Sequence, residues 1–245
     1  MQHRPITLIV TVALLGLASC GDEGPTATLT SPSENATVAG GVALAMSAEG
    51  VTIEPAGETR SGYGHFHVIA DAGCAEKGTG IAKDADHVHF GKGQTDGVIY
   101  LEPGQHELCL QVGDGAHTAL DITDTVTVDV KVENLQQWCS VVGEIDAMFE
   151  SVDNSDDDLA TKQVGYENIR RLAAQAADGV DHVDPAARDD VVASVTFAAE
   201  LSAALSTADS PEAAEAAVAP IFEGISDGLP GAEWILGACD VDIAG

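Results

Sequence analysis

Between Thr125 and Val132 the apolar residues fall at every second position: Val126, Val128, Val130 and Val132 alternate with Thr125, Thr127, Asp129 and Lys131. A period of two puts successive side chains on opposite faces of a strand, so one face is buried and the other wet. The same alternation groups Val42 with Leu44 and Met46, and Leu108 with Leu110 and Val112. Asp96-Gly97, Pro103-Gly104 and Asp114-Gly115 read as turns between neighbouring segments. About seven such strands over roughly a hundred residues predict an immunoglobulin-like antiparallel β-sandwich spanning 28–133.

From 134 onward the period changes. Leu135, Trp138, Val142, Ile145 and Phe149 recur at three- and four-residue steps and share one helix face. Ser155, with Asp158 three residues on, resembles a capping box opening a helix that runs towards Ala177. Asp184-Pro185 and Ser210-Pro211 each read as an N-cap followed by proline at the first helical position. A short last helix around Trp234 brings Cys239 back towards the first. The expected second domain is therefore a small all-α helical bundle over 134–245, which makes the chain multidomain.

The first residues have another purpose. Arg4 precedes an apolar run from Ile6 to Leu17, which ends in Leu17-Ala18-Ser19-Cys20. That run is short for a membrane span but has the length of a signal segment. Small residues before a cysteine match the lipobox of bacterial lipoproteins, so residues 1–19 are expected to be cleaved and Cys20 to carry a diacylglycerol. Residues 20–27 then form a linker. The expected location is the cell membrane, lipid-anchored, facing the periplasm or the exterior. With Cys20 lipidated, four of the five cysteines remain, an even number in an oxidising compartment. Cys74 and Cys109 both lie in the strand-rich half, whereas Cys139 and Cys239 bracket the helical half. The predicted disulfides are accordingly Cys74–Cys109 and Cys139–Cys239.

Forty acidic against ten basic side chains give a formal net charge of −30. Such a surface repels phosphate backbones, and nucleic acid is excluded as a partner. The simplest meaning of the acidity is solubility.

Six of the eight histidines fall between 65 and 117: His65, His67, His87, His89, His106 and His117. In His65-Phe66-His67-Val68 and His87-Val88-His89-Phe90 each His alternates with an apolar residue. In strands, the apolar members would face the core and four imidazoles would share the opposite face. His106, in phase with Leu108 and Leu110, is expected to bond a backbone carbonyl at a strand start. His182 is assigned no role.

Through Gly64-His65-Phe66-His67, His87-Val88-His89-Phe90-Gly91-Lys92-Gly93-Gln94-Thr95, Pro103-Gly104-Gln105-His106-Glu107-Leu108 and Gly113-Asp114-Gly115-Ala116-His117, the segment from Thr28 to about Val132 resembles the bacterial domain of unknown function 4399 family. Members usually carry a third consecutive histidine in the first motif, where this chain has Phe66. The resemblance implies an exported, His-rich sandwich domain and no particular activity.

Two functions follow as expectations. In the first, His65, His67, His87 and His89, joined by His117, bind copper or zinc at the cell envelope. Nitrogen-only ligation ranks Cu(II) first and Zn(II) next. In the second, the domain is a non-catalytic envelope scaffold or adhesion module whose histidines stitch loops together without metal. The sequence offers no nucleophile elbow, no His-Glu-x-x-His helix and no phosphate loop, and the chain is expected not to be an enzyme.

Overall fold

The computed structural model describes residues 24–225 and 228–240. The expected signal segment and Cys20, on which the expected lipid anchor depends, lie outside these residues. Among the described residues nine strands occupy the first half: β1 (Thr26–Ser31), β2 (Ala36–Val38), β3 (Val42–Glu49), β4 (Thr52–Ile53), β5 (Tyr63–Ala70), β6 (His87–Phe90), β7 (Asp96–Ile99), β8 (Gly104–Gly113) and β9 (Ala119–Val130). Among the described residues five α-helices follow: α1 (Leu135–Asp153), α2 (Leu159–Asp178), α3 (Arg188–Ser206), α4 (Pro211–Glu223) and α5 (Ala232–Cys239). Among the described residues no helix is long and apolar enough to cross a membrane.

The strands form two sheets, ordered β1-β3-β7 and β2-β9-β8-β5-β4, with β6 also paired to β5. Alternation places Val42, Leu44 and Met46 of the small sheet against Phe66, Val68, Leu108 and Leu110 of the large one, in one shared core. The expected immunoglobulin-like antiparallel sandwich is met in its coarser form only. β2 runs parallel to β9 and β4 parallel to β5, because the segments that enter these short edge strands cross over instead of turning back as hairpins. Asp96-Gly97 is no turn: both residues lie within β7, facing Ala45 and Leu44 of β3. A Cβ on Gly97 would run into the Phe90 ring, so glycine serves packing there.

Both disulfides have the expected partners, Cys74–Cys109 and Cys139–Cys239. The helix starts are mixed. Ser210 caps α4 through its hydroxyl, with Pro211 at the first helical position. α2 is capped by Asp158, whose carboxylate accepts from the Thr161 amide, and not by Ser155, whose hydroxyl donates to the Val152 carbonyl at the end of α1. Asp184 accepts from the Ala186 amide in a turn that precedes α3, so the helix begins a turn later than Asp184-Pro185 suggests.

The second core gathers Trp138, Val141 and Val142 of α1, Ile169 and Leu172 of α2, Val191 of α3 and Ile235 of α5. It is continuous with the strand half through Val132, with Tyr100 packed against it. The contact is also polar. Gln175 of α2, 1% exposed, accepts from the Gly40 amide at 2.7 Å and donates to the carbonyls of Leu101 at 2.9 Å and Gly40 at 3.2 Å. Glu144 of α1 accepts from the Gly41 amide at 2.7 Å. Helix residues thus satisfy backbone groups of the strand half, a dependence that periodicity does not reveal.

Candidate metal centre

β5 is buried on both faces. Phe66, Val68 and Ala70 enter the core between the sheets. On the other face, His65 and His67 are 0% and 1% exposed, in line with Ile69, which packs with Ile81, Cys109 and Ala119 in a separate small cluster. The cover over this face is the connection 71–86 together with the turn at 114–118. Cys74 bonds Cys109 of β8, and the Ala75 amide and carbonyl are both bonded by the Gln111 side chain, so the connection is tied down onto the sheet.

β6 lies antiparallel on β5, with His67 opposite His89 and Ile69 opposite His87. Directly opposed residues in such pairs are close enough for their side chains to meet. The two His-x-His segments are therefore offset by one pair instead of facing each other squarely, which leaves His87 beyond the cluster. Its Nδ1 lies 2.8 Å from Asp84 Oδ1, and the same carboxylate oxygen accepts from the backbone amides of Asp86 and His87. His117, also expected at the site, does bring its ring to the cluster. The Asp114 carboxylate accepts from the amides of Ala116 and Thr118, and the Asp114 carbonyl from the amide of His117. This folded turn holds His117 at φ 65, in the left-handed region, and aims its ring over β5 and β6.

Four rings converge. His67 Nε2 is 2.9 Å from His65 Nε2, and His117 Nε2 is 3.1 Å from His89 Nε2. His65, His67 and His89 each bring a ligand atom within 4.8 Å of the others. The six ring-centre separations are 4.8 Å (65–67), 4.9 Å (65–89), 4.9 Å (65–117), 5.0 Å (67–89), 5.8 Å (67–117) and 4.6 Å (89–117). Four points that are nearly equidistant stand at the corners of a tetrahedron. A square would stretch two of the six separations to roughly 1.4 times the rest; here only the 67–117 distance stands out. With nitrogens at about 2.0–2.1 Å from a tetrahedral ion, the ring centres would stand about 5 Å apart. Rings so spaced could surround one ion, with ligand atoms of His65, His67 and His89 already within reach of a shared position.

Glycines make room for the rings. A Cβ on Gly91 would collide with the His89 ring, and one on Gly113 would stand 2.9 Å from His67 Nε2. Burial, reinforced by the neighbouring imidazoles His89 and His117, lowers the pKa of His65 to about 4. Burial also lowers that of His67 to about 3, with the other cluster histidines adding to it, and the His89 pKa is lowered by burial and by His117. His65 and His67 are therefore neutral at ordinary pH, the form a metal requires. The Nδ1 atoms of His65 and His67 are buried without a hydrogen-bond partner.

His106 stands apart, its Nε2 2.8 Å from the Glu102 carbonyl oxygen and its Nδ1 2.7 Å from the Asp71 carboxylate. The carbonyl contact is the one expected; the carboxylate, 35 residues away in sequence, is additional. His182 contacts the Val132 carbonyl at 3.1 Å.

Residues 44–131 match the family model described as Domain of unknown function (DUF4399). The matched stretch contains all four converging histidines and leaves the helices outside. No curated protein and no solved structure matches the chain.

Proposed function

We propose that the chain is an exported, lipid-anchored envelope protein whose strand half, an immunoglobulin-like sandwich with added parallel edges, binds one zinc or copper ion on His65, His67, His89 and His117. The near-equal spacing of the four rings carries this reading. Four protein ligands fill the shell of a tetrahedral ion and leave no position for a substrate, which favours a binding role over catalysis. The acidic surface attracts cations to the site. Two disulfides suit an oxidising compartment, consistent with export.

The test is titration of the chelated full-length protein with Zn(II) and, under reducing conditions that spare the disulfides, with Cu(I). One ion per chain is expected, lost in a His67→Ala, His89→Ala double variant. No binding tighter than about micromolar would leave the histidines as loop-stitching groups of a scaffold. The anchor is tested separately: Cys20→Ser should move the protein out of the membrane fraction.

A further inference from the structure

His87 and His89 lie on the same face of β6, and moving β6 by two residues along β5 would leave every side chain on its present face. His65 would then oppose His89, and His67 would oppose His87. The hydrophobic pattern does not distinguish these two registers, because a two-residue shift preserves the alternation. β6 is only four residues long and enters from the 71–86 connection. Something outside the strand must help to choose.

The polar groups at its entrance do so. Arg171, on α2, is 7% exposed, and three of its hydrogen-bond partners lie in the strand half. Its Nη1 donates to the carbonyl of Tyr100 at 2.8 Å and to that of Ala85 at 3.3 Å, and its Nη2 to Asp86 Oδ1 at 2.7 Å. Within α2, Nε donates to Glu167 at 3.4 Å. The Asp86 carbonyl in turn accepts from the Ala70 amide at 2.9 Å, extending the β5–β6 ladder by one step. The guanidinium thus fixes the last two residues before β6 against the end of β7 and against α2. At the other end of the strand, the Gly91 carbonyl accepts from the Ala56 amide at 2.9 Å.

We infer that Arg171 is a positioning residue for the metal centre: by clamping Ala85 and Asp86 it sets the register of β6, so that His89 joins His65, His67 and His117 while His87 stays outside. This deepens the metal-binding reading and rests on it. It also gives the helical half a part in the site, since a fork of rigid donors reaches three acceptors where lysine would supply a point charge.

The experiment compares full-length wild type, Arg171→Met, Arg171→Lys and Asp86→Asn. Zn(II) affinity is measured by chelator competition, and amide hydrogen exchange is followed at residues 87–90. Asp86→Asn weakens one contact only and serves if Arg171→Met does not fold. Expected for Arg171→Met is a loss of about 10- to 100-fold in affinity, the range for groups that orient metal ligands. Faster exchange in β6 and a new sensitivity of binding to His87→Ala should accompany it, with Arg171→Lys and Asp86→Asn intermediate. Wild-type affinity and exchange in the folded variants would overturn the inference. If the wild type binds no metal, the metal reading fails; unchanged exchange at 87–90 would then also sink the clamp, and faster exchange would uphold the register role.

Discussion

His117 meets His89 Nε2 to Nε2 at 3.1 Å although the two are 28 residues apart in the chain, and it does so from a left-handed backbone conformation. Asparagine tolerates that conformation better than most residues but has no imidazole. His117→Asn should therefore keep the turn and the thermal stability of the metal-free protein while weakening Zn(II) binding by at least about 100-fold, beyond what outer groups usually cost. Chelator competition and a thermal melt of the same sample check both halves of this expectation.

Two variants on the same strand should behave differently. His89→Ala removes a converging ring and should abolish tight binding. His87→Ala removes a half-exposed contact to Asp84 and should change affinity by less than about twofold and stability by less than about 1 kcal/mol. Parallel titrations decide the point, and equal losses in the two variants would place His87 in the site.

Gly91→Ala is expected to act through space alone, since the added methyl meets the His89 ring. Forcing a ring aside in a packed site costs about 1–3 kcal/mol. Chemical denaturation should report that loss, and metal titration should show weakened binding even though every ligand is retained.

The metal-free protein should lose stability as the pH falls. His65 and His67 have folded-state pKa values of about 4 and about 3, below the ordinary 6.5 of an unfolded histidine. Between these values the unfolded chain binds more protons than the folded one, so stability is full above about pH 6.5 and declines towards pH 3. Urea unfolding across that range should show a decline that is reduced in a His65→Gln, His67→Gln double variant.

Gln175→Ala would leave the buried Gly40 amide and the Leu101 carbonyl without their partner. Each such group costs about 1–3 kcal/mol. Because Gln175 belongs to α2 and its partners to the strand half, the wild type should unfold in one transition, and the variant should lower or split it. Calorimetry checks this.

The alternating strands, the helical face of α1, both disulfides and the shared face of the His-x-His segments were legible because each follows from a period or a count. The exclusion of His87 was not. Alternation specifies a face but is blind to a two-residue change of register, and the turn that aims His117 depends on Asp114 carboxylate bonds that turn chemistry permits without directing. Arg171 and Gln175 read as polar helix residues, indistinguishable in sequence from a solvated face. Ser155 and Asp158 are both competent caps, and the choice between them depended on where the α1–α2 loop ends. Asp96-Gly97 has turn composition, yet the Phe90 ring needs glycine inside a strand.

X-ray absorption at the metal edge of the loaded full-length protein tests the central claim most directly. A first shell of four nitrogens at about 2.0 Å, with the outer-shell scattering of imidazole from all four and its reduction in His117→Asn, is the expected result. A shell dominated by oxygen, or one that is unchanged in His117→Asn, would contradict it.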